Sequence, residues 1–394
     1  MTDDHRMPPW VWVLAGVAGL GSLALGALLL SLPLLFPSDL DAAAVTLIGY
    51  GLISMTLGIS LCVVGRHGWQ QRPPHRFYAR WGWGIFLVLS LVLGVVGASI
   101  PLERQSGFLS GTLHFSMITL PGLLLFSLLS LAAGTNAALS IRRMLLGVIG
   151  GASSVVLALP VEIIGLFLSA LSVMVVMMAM PRGHAEIARV MQVYSEWMAT
   201  SQFDESDLVG LLSSPFVLIT LGLTLAVIAP AIEEFGKTLV MGVLGLRRRT
   251  SLLPSFLMGA ACGLGFAWFE GIGNGALGMS TSWGGSVIVR SLATAMHALT
   301  SGIIGLGWGW FWRGRRWALP IGYMVAFLLH GLWNLNVVLS LAGVSLMPTA
   351  DGLATVAVAL AVLIQLALVG IVAVALFAIP LVLRRSTKRD LEAT

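Results

Sequence analysis

The sequence predicts an all-α integral membrane protein, a polytopic helical bundle of about ten transmembrane helices with several kinked at proline. Three observations carry this prediction. Of 394 residues, 57% are hydrophobic and only 10% are charged, whereas an ordinary soluble domain has about 25% charged residues with which to solvate its surface. Apolar runs of the ~20 residues needed to cross a ~30 Å hydrocarbon core recur along the chain. The basic residues then fall in every second loop between those runs. Soluble globular, disordered and nucleic-acid-binding classes are excluded on composition. The two cysteines, Cys62 and Cys262, lie in apolar runs and make neither a CxxC site nor a disulfide framework.

Residues 10–36 form the first run. The preceding MTDDHRMPP is not a basic leader and no A-x-A site follows, so this run is read as a spanning helix that stays. Runs 43–65, 81–101 and 116–140 follow. Runs 144–180 and 211–246 are too long for one straight crossing; 36 residues of helix would measure ~54 Å. They contain Pro160 and Pro230, and proline both removes a backbone donor and clashes with the preceding turn, so kinks are expected there. Runs 251–279, 286–312, 317–340 and 353–383 complete the set. Between the fifth and sixth runs, 181–210 is the only sizeable polar segment. Its Ile187, Val190, Met191, Tyr194 and Met198 recur at helical spacing, which predicts an amphipathic helix on the outer interface.

Seventeen of the 22 Lys and Arg residues fall on one side of this topology, including Arg66, Arg142, Arg143, Arg247 to Arg249 and the tail from Arg384. The positive-inside rule then places both termini in the cytoplasm of a plasma-membrane protein. The net charge of +5 is thus topological and implies no nucleic-acid partner. Tryptophans such as Trp83, Trp312 and Trp317 flank helix ends as an interfacial belt. His5, His67, His75, His114 and His184 are read as solvated in loops or at ends.

Ionisable groups inside a membrane are costly and mark function. Here they are Glu162, Glu233, Glu234, Lys237, Glu270, His297 and His330, joined by the amides of Asn334 and Asn336. The chain has 20 arginines but only two lysines, so Lys237 stands out. Counted from the cytoplasmic helix ends at 1.5 Å per residue, Glu234, Glu270, His297 and His330 lie about 20–24 Å deep. Four helices placing carboxylates and imidazoles at one level predict a single polar chamber. Glu233 and Glu234 stand four and three residues before Lys237, on one helix face. Arg290, Thr294 and His297 share a stripe, as do Tyr323, His330 and Asn334. Glu162 stands apart and reads as a packing or Arg-paired group, and Arg290 as a side chain snorkelling to the interface. The glycines at 263, 265, 271, 273 and 275 suit close helix packing as well as catalysis.

No Ser–Lys or GxSG nucleophile, no paired YD and GxGD aspartates and no HExxH motif are present. The residues that remain suit activation of water. A glutamate in low dielectric can act as a base near neutrality. Two histidines and a carboxylate can hold a divalent ion such as zinc, and histidines with Asn334 can instead stabilise an oxyanion without metal. Buried Glu, Lys and His also suit a proton-coupled secondary transporter, though a two-fold repeat transporter would distribute them more symmetrically.

The blocks AIEEFGK (231–237), GFAWFEGIGN (265–274), RSLATAMHALTSGIIG (290–305) and LLHGLWN (328–334) resemble the motifs of PrsW-type intramembrane proteases, which are distantly similar to CAAX prenyl endopeptidases. Their pattern is EExxK, FxxxE and a histidine on each of two further helices. The resemblance implies an endopeptidase that hydrolyses a membrane-anchored protein, with a role in regulated proteolytic signalling. Glu233 or Glu234 would activate water and Lys237 would tune it. Glu270, His297 and His330 would hold zinc or, with Asn334, the oxyanion. It also implies a core over 144–345, an accessory N-terminal transmembrane bundle over 1–143, and a last helix with a basic tail over 346–394. Where the family often has asparagine directly after the second-block glutamate, this chain has Gly271, and Asn274 on the same face is the expected substitute.

Overall fold

The structure, a computed structural model, describes residues 9–35, 42–70, 82–99, 107–134, 139–200, 205–243, 251–277, 279–346 and 352–392. These residues form fourteen α-helices and one π-turn, with no strand among them. In chain order the helices are α1 (Pro9–Leu35), α2 (Ala42–Trp69), α3 (Gly82–Ser99), α4 (Gly107–Ala133), α5 (Ile141–Met178), α6 (Gly183–Thr200) and α7 (Glu205–Leu212). There follow α8 (Pro215–Leu223), the π-turn Thr224–Ile228, α9 (Ala229–Lys237), α10 (Leu239–Val243), α11 (Leu252–Leu277), α12 (Met279–Phe311), α13 (Ala318–Leu346) and α14 (Leu353–Glu392).

Eight spans among the described residues are long and apolar enough to cross a membrane. Of the ten predicted runs, 81–101 and 286–312 are outside this set. The first folds as α3, in which Trp83–Leu93 is apolar. The second lies within α12, 33 residues or ~50 Å of helix, which carries Arg290, Thr294 and His297. The run 211–246 does more than kink at Pro230. Ser214 caps α8 with its hydroxyl facing the Val217 N–H, the π-turn precedes the proline, and the helix breaks again after Lys237.

The chain divides into two compact units. The first comprises Met1–Val155, Lys237–Tyr323 and Ala373–Thr394, and α11 is its centre: 83% of its most apolar stretch is buried, against 11% for α1. Lipid tails are as apolar as leucine, so membrane helices gain by close packing, which small residues permit. A Cβ on Gly259 or Gly263 would run into the carbonyls of Ser301 and His297 on α12. One on Gly265 would meet the Val148 carbonyl of α5. Along the same helix, Gly271, Gly273 and Gly275 admit Ile118, the Tyr50 hydroxyl and the His114 ring from α4 and α2. The dense glycines are packing positions. The α1 and α2 pair closes in the same way: a Cβ on Gly58 would stand 2.9 Å from the Gly19 carbonyl.

His114 corrects its sequence reading. It lies within α4, fully buried, with Nε2 3.0 Å from the Ile272 carbonyl. The sequence run was started at 116, which left His114 in a loop, but the helix begins at Gly107. Tyr50 on α2 stacks against Phe269, centroids 4.7 Å apart, so α2 and α4 both buttress the segment of α11 that carries Glu270.

The second unit comprises Val156–Gly236 and Met324–Val372. Here α13 packs on the π-turn, with Gly331 against the Ala226 carbonyl. Its Asn336 is buried and donates to the Ala361 carbonyl at 2.9 Å and to Gln365 Oε1 at 2.8 Å on α14. In a membrane, buried amides of this kind fix the register of two helices. Glu162 is half-buried on α5. The predicted amphipathic helix is α6. Its half-buried face includes Ile187, Val190 and Val193, and it exposes Met191, Tyr194, Trp197 and Met198.

Candidate active site

Within the second unit, α9 presents Glu233 and Glu234 and α13 presents His330 and Asn334. Glu234 is fully buried and His330 is 2% exposed. Their side chains meet, His330 Nδ1 to Glu234 Oε1 at 2.9 Å. The other ring nitrogen, Nε2, lies 3.8 Å from Glu233 Oε2 and 3.3 Å from the Asn334 amide nitrogen. That amide also donates to the backbone carbonyl of Leu225 at 2.8 Å.

Within the first unit, Lys237 is fully buried. Its Nζ sits 2.8 Å from His297 Nδ1 and 4.1 Å from the centroid of the Phe266 ring. The ring face supplies a cation–π contact that partly replaces lost hydration. His297 Nε2 lies 3.0 Å from Glu270 Oε2. The other oxygen of Glu270 accepts from Arg290 at 2.9 Å and from Asn274 at 2.8 Å. Lys237, Glu270 and Arg290 therefore form one line of alternating charge threaded through an imidazole. Burying any one of these charges alone would be costly, and the alternation makes it tolerable.

Proton positions follow from these partners. A carboxylate only accepts and an ammonium or amide N–H only donates. On this rule His297 carries its proton on Nε2, toward Glu270, and accepts from Lys237 at Nδ1. His330 carries its proton on Nδ1, toward Glu234, and accepts from Asn334 at Nε2. The two imidazoles are held in opposite tautomers by the same device, a carboxylate on one side and an N–H on the other.

Arg290 corrects its reading as a snorkelling side chain: its guanidinium turns in to Glu270. Asn274 donates to Glu270 one helical turn away, on the face where a substitute for the missing asparagine was sought. Arg290 was the residue that sequence reasoning passed over. Its place on the His297 stripe, four residues before Thr294, was the available signal. Glu270 and His297 are brought together in the first unit, and Glu233, Glu234, His330 and Asn334 in the second. Lys237 ends the helix that carries both glutamates, so the two clusters are joined covalently through α9.

A family model described as PrsW family intramembrane metalloprotease matches residues 141–372, more than half of the chain. The chain belongs to the PrsW family. All seven candidate catalytic residues lie inside the matched stretch, and the helices α1 to α4 lie before it. As a PrsW protein it is a multi-pass membrane protein of a protease family, whose substrates are membrane-anchored. No curated protein and no solved structure matches the chain. The PrsW description names a metalloprotease, and imidazole nitrogens with carboxylate oxygens are a donor set that suits a metal of the zinc class.

Proposed function

We propose that this PrsW protein is an endopeptidase that hydrolyses a peptide bond of a membrane-anchored protein with water activated by Glu233. The observation that carries this reading is the pairing in the second unit. Glu234 is taken up in holding His330 through Nδ1, so its role is orientation. Glu233 faces the other side of the ring, with Oε2 3.8 Å from Nε2. A buried carboxylate there is a proton acceptor that can deprotonate a water and later protonate a leaving amine.

Lys237, with Arg290 behind Glu270, keeps His297 in one orientation and supplies positive charge where an oxyanion develops. His297 and His330 are the proposed metal ligands. Glu270, also a candidate ligand from the sequence, serves in this reading to orient His297 from behind. A divalent ion such as zinc, when bound, supplies Lewis acidity and a more acidic water.

The proposed membrane arrangement is ten crossings, the eight apolar spans plus α3 and α12. Both termini lie in the cytoplasm, α6 lies on the outer interface, and the membrane is the plasma membrane. The proposed parts are an accessory bundle over 1–143, a catalytic core over 144–345 and a last helix with its tail over 346–394.

The test compares peptide termini in membranes of cells making the wild-type chain, Glu233→Gln or His330→Ala. New termini near the membrane-spanning segment of a single-span protein should arise with wild type and vanish in both variants. Termini that persist unchanged in both variants would end the assignment. Substrate-dependent proton flux in liposomes without any cleavage would favour a transporter instead.

A further inference from the structure

The end of α11 is a weak helix by composition. From Glu270 it reads EGIGNGAL (270–277), with glycine at every second position from 271 to 275, and glycine is the poorest helix former after proline. The geometry of Glu270 nevertheless depends on this stretch. Asn274 reaches the carboxylate only because the helix continues for a full turn beyond it. Asn274 and Arg290 together hold Oε1 of Glu270, which leaves Oε2 turned to His297.

What the stretch lacks in itself, α2 and α4 supply from within the same unit. Tyr50 of α2 lays its ring against Phe269 and its hydroxyl against Gly273, where a Cβ would stand 2.5 Å from the oxygen. His114 of α4 is fully buried with Nε2 3.0 Å from the Ile272 carbonyl. A carbonyl only accepts, so the Nε2–H donates to it, and the second lone pair of that oxygen leaves its place in the helix intact. The His114 ring also covers Gly275, and Ile118, one turn further along α4, covers Gly271. Each of the three glycines thus faces a side chain from α2 or α4. Both helices lie before residue 141, outside the stretch that carries the family pattern. We propose that Tyr50 and His114 are positioning residues for the reaction. They keep the last turn of α11 wound, which keeps Asn274 on Glu270 and Glu270 against His297. The N-terminal helices then contribute to the rate of cleavage as well as to packing.

The inference rests on the proposed function, in which Glu270 orients His297, and the experiment separates the two. The full-length protein in detergent micelles is compared with His114→Leu, which removes the donor, and His114→Gln, which keeps an N–H at the same reach. Tyr50→Leu removes the ring from a half-buried position and tests the same turn without touching the buried histidine. Hydrogen exchange of residues 270–277 should quicken about fivefold in His114→Leu, the worth of one hydrogen bond. For a substrate found by mapping peptide termini, His114→Leu and Tyr50→Leu should each lower kcat about 10²-fold, the cost of a misplaced catalytic group, with KM unchanged. His114→Gln should restore both exchange and kcat. Because His114 acts through Asn274, His114→Leu made in an Asn274→Ala background should lower kcat little further. A wild-type kcat in both His114→Leu and Tyr50→Leu overturns the proposal. So does a His114→Leu loss that is undiminished in the Asn274→Ala background, or one that His114→Gln does not recover. Cleavage that survives both Glu233→Gln and Glu270→Gln overturns the proposed function instead, and is told apart because it leaves the exchange of 270–277 dependent on His114.

Discussion

The cluster around His297 and the cluster around His330 solve one problem with different materials. Each must keep an imidazole neutral and oriented in a medium that offers no water. Around His297 the ring nitrogens meet the charged side chains of Lys237 and Glu270, with Arg290 behind Glu270. Around His330 one donor is an amide, Asn334, itself held by the Leu225 carbonyl beside Pro230. The first arrangement couples the imidazole to folding energy, because removing any member strands a charge. The second couples it to helix geometry, because a small shift of α13 along the π-turn would release the amide. Stability and rate should therefore respond differently in the two regions.

The largest expected effect is on rate, in the second unit. Glu233→Gln should lower cleavage by about 10²–10⁴-fold, the range for loss of a general base. Thermal unfolding of the detergent-solubilised protein should barely move. A large fall in melting temperature would place Glu233 with the structural charges and erase the contrast.

Next comes stability in the first unit. Glu270→Gln leaves Arg290 and Lys237 without their counter-charge. It should cost about 3 kcal/mol, the low end for breaking a buried pair because Glu270 and Arg290 keep some exposure. Chemical denaturation would read this loss, and Arg290→Met in the same background should recover part of it. A neutral result would mean that the charged line contributes nothing to folding.

Metal dependence sharpens the comparison further. Removal of metal by a chelator should abolish cleavage, with zinc restoring it, and His297→Ala and His330→Ala should each lower the metal content of the purified protein. Saturating metal should raise stability by about 4 kcal/mol when its concentration is 1,000 times the dissociation constant. Metal content unchanged in both variants would remove the two imidazoles as ligands.

A smaller effect tests packing. Gly263→Ala pushes α12 away at the His297 carbonyl and should cost about 1–3 kcal/mol, as overpacking does. It should also weaken the contact between His297 and Glu270, read as a change in the 15N signature of His297 and none in that of His330.

The smallest effect lies outside the spans, on α6. Burial pushes Glu186 upward, but the Ser214 hydroxyl and Arg189 more than offset this and hold it below the usual carboxylate value of 4.5. A depressed carboxylate stabilises the fold above its unfolded pKa, and the contribution is lost as pH falls through the folded value. Hydrogen exchange of α6 should therefore quicken below about pH 4, and Ser214→Ala should bring that onset to higher pH. An onset that does not move would remove Ser214 from the account.

Much of this was legible in the sequence for a local reason. Glu233, Glu234 and Lys237 share a face because a helix repeats every 3.6 residues, and hydropathy marks spans because lipid cannot hydrate a charge. The depth count set Glu234, Glu270, His297 and His330 at one level; the structure places Glu270 against His297 and Glu234 against His330. His114 and Arg290 were misread for the opposite reason. Nothing near His114 in the chain announces the Ile272 carbonyl 158 residues away, and nothing near Arg290 announces that it turns toward Glu270 rather than toward the interface.

The sequence alone determined the helical membrane class, the order of the motifs and the residue types able to activate water, since each depends on composition or on spacing within one helix. Only the tertiary structure decided which nitrogen of each histidine carries the proton. A tautomer is set by the group opposite each nitrogen, and those groups arrive from helices far apart in the chain.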